Sequence, residues 1–486
     1  MADKTRRDFM KLAGATGATG ALAGCSGGDN NGSSDSSSDG GSQETVSVNF
    51  WSATAAEGPD YRPFFEESLN NFEEKNSNIT ADMQLVSFGD VQQRLSAAVG
   101  GGNAPDMVEG GSAALPYFLN DEIPNHDPYI QETDLVDNWD QSMVDTAQFR
   151  GSYWSGGGAR AGAPMLAIRP KFFRGFIDDP NEALATRTGF RRAVERVQQE
   201  NQNIFAYEAN ATQNDLEYFW GKARSAYTDG TDPWLGGDPT SPEVRVTDDR
   251  TQGMIKDEID MANAYSSSNA SQRADEEQPG LMMTDRVAVA PSGGDFAPSF
   301  AQVSEDASFG WPDGDSYTIL RPRLDPNYGN EFNIPELAGK EGQHGGHIFG
   351  FNPTKSLFAS DVQDQAWELM LYTNKDPDHV IPLCAEIANA IPTYRGLRDE
   401  VQDRFDPVIS GAEQVFNLRI RAFDEYGPSG QYSSTGASWD VQGTDAIRIN
   451  AISGTMGEAI AGQIPRDNAA TVMEDRINSI LQEQNS

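Results

Sequence analysis

Two kinds of hydrophobic spacing alternate between residues 46 and 119, and this alternation restricts the fold more than any other feature of the chain. Apolar residues at every second position, such as Val48 and Phe50, predict a strand that ends at Trp51. Residues 61–72 instead carry apolar side chains at helical spacing. Both patterns recur, with strands predicted over 79–85 and 105–109 and helices over 91–99 and 113–119. Strands separated by helices usually pair in parallel, so the sequence predicts βαβ units and an α/β fold.

The first 25 residues have the order of parts expected of an export signal. Arg6 and Arg7 come first, and a weakly apolar run of small residues follows over 12–22, too short and too polar to span a bilayer. Residues 22–25, which end at Cys25, then resemble a lipobox, and the whole resembles a twin-arginine signal. We therefore expect export by the twin-arginine route and lipid attachment at Cys25. The alternative is a disordered tail that happens to contain two arginines.

Residues 26–45 are rich in Ser, Gly and Asp and cannot bury apolar surface, so they predict a disordered linker. The remaining chain is long enough for two or three domains. No later apolar run is long enough to predict a membrane helix.

The chain has 74 acidic and 36 basic residues, giving a net charge of −38. This excess argues against nucleic acid as a partner, because such proteins need a basic face. A folded protein with so acidic a surface has the pattern seen in halophilic archaea. Multimolar salt shortens the Debye length to about 3 Å or less and screens the self-repulsion. We expect structure to be lost when salt is removed, whereas a circular dichroism melt insensitive to salt would contradict this.

Cysteine and histidine are scarce. Cys384 lies in an apolar stretch and is interpreted as a small core residue; if Cys25 carries lipid, Cys384 has no disulfide partner. Only His344 and His347 are close in sequence, so neither a metal nor another cofactor is predicted.

The sequence also lacks the common nucleophile, metalloprotease, P-loop and dinucleotide motifs, so we expect a protein that is not an enzyme.

The order of elements resembles the family 1 extracellular solute-binding proteins, the maltose-binding type of sugar-binding component of ABC importers. The resemblance covers nearly the whole mature chain, although each motif alone is weak. It rests on residues 71–76, 95–100, 104–108, 162–165, 285–296, 345–350, 366–372, 390–395, 451–454 and 469–481.

The resemblance implies a periplasmic-binding-protein-like fold of type II character, in which hinge strands join two α/β lobes. The ligand would lie in the cleft between the lobes, which closes by a hinge motion. Residues 229–250 look like an excursion loop of the second lobe. The predicted boundaries are 46–163 with 348–395 for lobe one, and 164–347 with 396–486 for lobe two.

Residues 149–158 and 168–173 depart from the family's usual sequence, so the resemblance does not transfer the identity of the ligand.

Sugars need aromatic planes for their C–H faces and polar groups for their hydroxyls. In open α/β sheets ligands bind beyond the carboxyl ends of strands, where Trp51, Ser52, Glu109 and Ser112 are predicted to lie. Trp51 is alternatively a core residue, and Glu109 is alternatively a solvated loop carboxylate.

Further candidates come from the resemblance. Phe296 either lines the cleft or packs under its loop, and His347 either faces the ligand or occupies a tight crossover. Tyr394 and Arg395 would offer a stacking plane and a forked donor. The full set of ligand candidates beyond the first and third predicted strands is Asp295, Phe296, His347, Tyr394, Arg395 and Trp439. Trp234 and Trp311 are also candidates for the cleft, but the sequence does not place them.

These features predict a monomeric, lipid-anchored protein on the extracellular face of the membrane that captures a sugar and delivers it to ABC permease subunits. Two alternatives stay open. One is a binding protein for a polyol, glycerol phosphate or peptide, in which Arg169 or Arg395 meets a charged ligand. The other is a secreted polysaccharide hydrolase or lyase whose acid–base pair is hidden among the many carboxylates.

Overall fold

A computed structural model describes residues 45–149, 151–161, 165–209, 223, 226–227, 232–238, 241–270, 277–292, 296–304, 306–342, 354–426 and 446–484. The predicted export signal with Arg6, Arg7 and Cys25 lies outside these residues, as does nearly all of the predicted linker. Residues 45–486 form one compact unit. Within the described residues, no helix combines the length and apolar character needed to cross a membrane.

The strands are β1 (Val46–Ser52), β2 (Ile79–Leu85), β3 (Met107–Glu109), β4 (Gln148–Phe149), β5 (Ser152–Tyr153), β6 (Arg160–Ala161), β7 (Met165–Ile168), β8 (Leu235–Asp238), β9 (Ser241–Val244), β10 (Val289–Ser292), β11 (Tyr317–Ile319), β12 (Lys355–Leu357) and β13 (Ile391–Pro392).

The helices are α1 (Tyr61–Lys75), α2 (Phe88–Gly100), α3 (Leu115–Leu119), α4 (Asp127–Gln131), α5 (Leu135–Asn138), α6 (Gln141–Ala147), α7 (Pro180–Ala183), α8 (Arg187–Glu200), α9 (Asp249–Tyr265), α10 (Gln278–Met283), α11 (Phe296–Val303), α12 (Tyr328–Glu331), α13 (Gln363–Lys375), α14 (Pro377–Pro382), α15 (Arg398–Asp403), α16 (Ala412–Tyr426), α17 (Gly454–Ile460) and α18 (Ala469–Gln484).

A four-stranded sheet of order β12-β3-β1-β2 is the centre of what we call the first lobe. β1 pairs in parallel with β2 and with β3, which confirms the predicted βαβ units. β12 is antiparallel to β3 and places Lys355 opposite Glu109. The sheet therefore combines neighbours in sequence with a strand from much later in the chain.

Alternation along β1 explains why this strand is central. Val48 and Phe50 pack with Phe65 of α1 in one buried cluster. Trp51 instead packs with Leu95 of α2 in another cluster. Both faces of the sheet are thus covered by helices, as expected for parallel strands in α/β folds.

The antiparallel sheet β10-β7-β11 is the centre of the second lobe. Met165 of β7 packs with Phe300 of α11 on one face. Ile168 packs with Val194 of α8 on the other. Helices α9, α17 and α18 enclose a further apolar cluster, which contains Trp234.

The chain passes between the lobes at defined places. β6 pairs with β13, and only residues 162–164 separate it from β7 of the second sheet. Gly342 still bonds to Leu324 of the second lobe, whereas β12 belongs to the first sheet. The fold is therefore the predicted two-lobe α/β arrangement, while the exact lobe boundaries stay a prediction.

Two expectations need correction. The described part of residues 229–250 is not an excursion loop, because β8 and β9 form a hairpin there. Trp234 beside it is fully buried in the second lobe's core rather than directed toward a cleft. Trp311 is partly buried and donates its Nε1–H to the carbonyl of Asp178, 2.8 Å away, in the second lobe.

Cys384 is fully buried, which confirms its interpretation as a core residue.

Candidate functional site

Trp51 lies where β1 ends, and its side chain is only 8% exposed. Its ring packs among Val91, Leu95 and Val108. The ring is thus part of the first lobe's core, but its Nε1–H is buried and has no hydrogen-bond acceptor among the described residues. A ligand-binding role for Trp51 stays a prediction. In that role the indole N–H would donate a hydrogen bond to the ligand.

Glu109 ends β3 and is 2% exposed, so its interpretation as a solvated loop carboxylate is wrong. Its Oε2 accepts hydrogen bonds from Ser52 Oγ at 2.5 Å and from the backbone N–H of Thr54 at 3.1 Å. Its Oε1 lies 3.2 Å from Lys355 Nζ. The carboxylate therefore organises the end of β1, and its predicted contact with a ligand hydroxyl stays untested.

Lys355 is a residue that sequence reasoning missed. It is completely buried, and its ammonium also donates to Asn374 Oδ1 at 2.7 Å. Burial lowers the pKa of Lys355, and the neighbouring Glu109 carboxylate opposes that shift. A lysine at the start of a short strand usually lies at the surface, so only the pairing of β12 with β3 reveals this ion pair.

A second buried pair holds the segment that follows β1. The Arg160 guanidinium of β6 bonds to the Glu57 carboxylate, and both side chains are nearly buried. Arg160 also lies over the ring of Tyr61, 5.6 Å from its centroid. Residues 52–57 are thus anchored at both ends by buried carboxylate–cation pairs.

Three buried polar side-chain atoms at this end of the sheet have no protein partner among the described residues. They are Trp51 Nε1, Thr54 Oγ1 and Thr354 Oγ1. The carbonyl of Thr354 accepts from the N–H groups of Gly110 and Gly111, which places Thr354 beside the loop after β3. Buried polar groups in native proteins are nearly always paired, so these three atoms are candidates for hydrogen bonds to a ligand at this end of the sheet.

The segment after β1 faces the second lobe. A Cβ added to Gly58 would lie 3.0 Å from Nε2 of Gln302, which belongs to α11. Phe296 begins that helix, although its side chain lies outside the described residues. The structure therefore brings the predicted candidates of the first strand and of α11 onto facing segments of the two lobes.

Other candidates cannot be placed. Asp295, His347 and Trp439 lie outside the described residues. The backbone of Ser112 lies in a 3₁₀ turn, Gly111–Ala114, just beyond β3, but its side chain is not among those described.

Tyr394 and Arg395 have protein partners at the surface of the first lobe. Tyr394 donates to Asp134 Oδ2 at 2.6 Å, and Arg395 donates to the carbonyl of Asp137 at 2.7 Å. Partial burial and the bond to Asp134 raise the pKa of Tyr394 to about 12. Both side chains thus tie the segment after β13 to α5, and their predicted ligand contacts stay a prediction.

Arg169 is the residue that the sequence offers as a contact for a charged ligand. Its Nε lies 3.0 Å from Asp285 Oδ1, and its Nη1 lies 2.7 Å from Asp315 Oδ1. With two carboxylates already bound, this guanidinium has less capacity for an anionic solute.

Neither described histidine resembles a catalytic base. His126 donates from Nδ1 to the carbonyl of Pro124 and accepts from the N–H of Leu357, so its ring is neutral and fully bonded. Burial lowers its pKa to about 4. His379 is also completely buried, and burial lowers its pKa as well. Among the residues described, no group of three or more His, Cys, Asp or Glu could hold a metal ion.

A cavity of about 30 Å³ lies within the second lobe, between β7, α8 and α9. That volume holds a water molecule or two but not a sugar ring. It is lined by Leu166, Arg187, Phe190, Tyr207, Asp257, Met261, Arg321, Pro322 and Tyr328. The candidate site is therefore the facing surfaces of the lobes and not this cavity.

The sequence matches no family model and no curated protein. Solved structures do share the fold. An ABC transporter solute-binding protein from Thermotoga lettingae, bound with α-D-tagatose, has a TM-score of 0.67 at 15% identity, covering 90% of this chain and 100% of that one. An ABC substrate-binding protein from Listeria monocytogenes, in complex with cycloalternan, has a TM-score of 0.67 at 14% identity, with 90% and 99% covered.

The sugar-binding protein MalE from Xanthomonas citri has a TM-score of 0.64 at 16% identity, and the match covers 90% of this chain and 98% of that one. At these identities the likeness establishes the fold. The chain thus has the two-lobe α/β architecture of ABC solute-binding proteins, over nearly the full length of each neighbour.

Proposed function

We propose that this protein is the solute-binding component of an ABC importer and captures a sugar or oligosaccharide between its lobes. The observation that carries the proposal is that Trp51 Nε1, Thr54 Oγ1 and Thr354 Oγ1, at the carboxyl end of the first sheet, are buried and have no hydrogen-bond partner among the described residues. Solved proteins of the same fold bind tagatose and cycloalternan, which are sugars.

The chemistry of these three atoms suits a polyhydroxylated ligand. The indole N–H only donates, whereas each threonine hydroxyl both donates and accepts. A sugar hydroxyl can satisfy either kind of group, and its ring can stack on an aromatic side chain. For that stacking plane we propose Phe296 on the facing helix, with Trp439 and Tyr394 as further candidates.

An uncharged ligand is favoured over a charged one. The Glu109 carboxylate at the site is neutralised by Lys355, and Glu57 is neutralised by Arg160. Arg169 already binds two carboxylates. An anionic solute such as glycerol phosphate would therefore find no unpaired cation among these groups.

We further propose the cellular setting that the first residues predict. The protein would leave the cell by the twin-arginine route through Arg6 and Arg7, attach to the outer face of the membrane through a lipid on Cys25, act as a monomer and deliver its solute to permease subunits. The net charge of −38 supports a halophilic setting, in which salt screens the self-repulsion.

The test is a thermal-shift panel in multimolar salt with tagatose, maltose, xylobiose, glycerol 3-phosphate and a tripeptide. We expect a sugar to raise the melting temperature of the wild type. New reducing ends after incubation with oligosaccharides would instead indicate a hydrolase, and a shift with the phosphate or peptide alone would indicate a different solute.

Thr54→Val tests the site itself. Removing this hydroxyl should weaken binding of the responding sugar about fivefold to tenfold, since one hydrogen bond is lost. Thr318→Val is the matched control, because its hydroxyl is also buried and unpartnered among the described residues but lies in the second sheet. Equal effects of the two substitutions would contradict the proposed location.

A further inference from the structure

The segment after β1 is held by two cations that lie next to the crossings between the lobes. Arg160 belongs to β6, the last described strand before residues 162–164 lead to the second sheet. Lys355 is the first residue of β12, which is the first described strand after the second lobe. The two cations therefore mark the outgoing and the returning strand.

Lys355 is hydrogen-bonded to residues 155–157, which precede β6 in the chain. The N–H of Lys355 donates to the carbonyl of Gly157 at 2.8 Å, and the N–H of Gly156 donates to the carbonyl of Lys355 at 2.9 Å. Ser155 Oγ donates to the same Lys355 carbonyl at 2.9 Å. Asn374, which binds the Lys355 ammonium, also donates to the carbonyl of Gly156 at 2.8 Å. The backbone leading to Arg160 and the backbone of Lys355 thus form one unit.

Lys355 and Arg160 are both connected to residues 52–57, the segment of the candidate site that follows β1. Lys355 holds Glu109, and Glu109 in turn accepts from Ser52 Oγ and from the N–H of Thr54. Ser52 Oγ accepts from the N–H of Ala55 at 3.1 Å. Arg160 holds Glu57 at the far end of the same segment.

We infer that Lys355 and Arg160 are positioning residues of the solute site, which fix residues 52–57 to the strands that cross between the lobes. This inference rests on the proposed function, since Thr54 is among the proposed ligand contacts. A buried ion pair keeps its geometry because separating its charges in the interior is costly. Displacement of either crossing strand therefore displaces the segment that presents Thr54.

The test compares two charge-neutral double variants. Lys355→Met/Glu109→Gln removes the pair at the site, and Lys256→Met/Glu336→Gln removes a partly buried pair of the second lobe, 2.6 Å apart. Hydrogen–deuterium exchange of the ligand-free proteins reports on residues 53–57, with β2 as an internal reference. We expect exchange over 53–57 to become about tenfold faster in the first variant only, because local opening becomes easier there.

The second readout is affinity for whichever of tagatose, maltose or xylobiose shifts the wild type most. We expect Lys355→Met/Glu109→Gln to bind that sugar about fivefold to tenfold more weakly than Lys256→Met/Glu336→Gln does, when the two are compared at equal distances below their melting temperatures. Unchanged exchange over 53–57, or equal changes in both variants, would overturn the inference.

Failure of the two ideas is distinguishable. If no sugar shifts the wild type, the proposed function fails, while the exchange measurement still decides the positioning role. If the first variant does not fold, Ser52→Ala cuts the same connection between Glu109 and Ala55 with a smaller change. Faster exchange at Thr54 and Ala55 in that variant is expected, and unchanged exchange would overturn the inference.

Discussion

Both lobes bury an ionic cluster, but the clusters join different kinds of structure. In the second lobe, Asp257 of α9 lies 3.0 Å from Arg187 Nη1 and 3.1 Å from Arg191 Nη1, and it also accepts from Tyr328 of α12. In the first lobe, Glu109 joins a strand end, a loop and Lys355.

The difference shows how the same chemistry serves two purposes. Asp257 is surrounded by donors from α8 and α12, so its charge holds helices of a core together. Glu109 instead accepts hydrogen bonds from Ser52 and Thr54 and so fixes a backbone segment, in which Thr54 Oγ1 has no hydrogen-bond partner among the described residues. Buried side-chain atoms without a hydrogen-bond partner among the described residues lie beside both ion pairs, including Arg191 Nε in the second lobe. A buried ion pair therefore does not by itself mark a binding site, and the pair of the first lobe differs in holding the segment that faces α11.

The largest effect should come from the second-lobe cluster. Asp257→Asn removes the carboxylate that the buried Arg187 and Arg191 share, although Arg191 keeps Glu195, 3.6 Å from its Nε, and we expect the free energy of unfolding to fall by about 3–5 kcal/mol. Urea unfolding in multimolar salt measures it. The control is Asp260→Asn on the same helix, whose bond to Arg466 is partly exposed and should matter by less than about 1 kcal/mol. Equal losses would show that the cluster is not the helix-joining element.

The next largest effect should be a loss of stability in acid that arises in the first lobe, because both described histidines belong to that lobe. The folded state keeps His126 neutral down to a pKa of about 4, whereas the unfolded chain takes up a proton near pH 6.5. Unfolding is therefore favoured as the pH falls from 6.5 toward 4, by about 3 kcal/mol in total. Urea unfolding of wild type and His126→Gln at both ends of this range measures the contribution. Parallel pH dependence in the two proteins would contradict it.

A smaller effect is expected at Cys384, which probes the first lobe only. Cys384→Ser places a hydroxyl in an apolar cluster and should lower the free energy of unfolding by about 1–3 kcal/mol, whereas Cys384→Ala avoids the polar penalty. Burial raises the pKa of the thiol to about 12, so alkylation should require opening of this lobe. Rapid alkylation of the native protein, measured by mass spectrometry, would be inconsistent with this placement.

The smallest effect should be at an exposed pair of the first lobe. Arg62 and Glu66 are bonded one helical turn apart on α1 with both side chains more than half exposed. Arg62→Ala should change the free energy of unfolding by no more than about 0.5 kcal/mol. A loss comparable to that of Asp257→Asn would erase the distinction between buried and surface charge.

Much of the first lobe was predictable from local spacing. β1 and β2 extend over 46–52 and 79–85, close to the predicted strands, and α1 covers the predicted helix. The hairpin of β8 and β9 was missed because residues rich in Pro, Gly and Asp favour loops, and Trp234 was unplaced because burial there depends on distant helices. The site was predictable only as the end of β1 and β3.

The sequence by itself determined the alternation of strands and helices, the excess of acidic charge and the apolar setting of Cys384, because each depends on residues close together in the chain. Only the tertiary structure decided that Glu109 is buried, that Lys355 neutralises it and that Trp51 Nε1 and Thr54 Oγ1 are buried without a hydrogen-bond partner in the part of the chain that the structure describes. The physical reason is that solvation and pairing of a charge are set by residues far apart in sequence, which meet only when β12 closes the sheet beside β3.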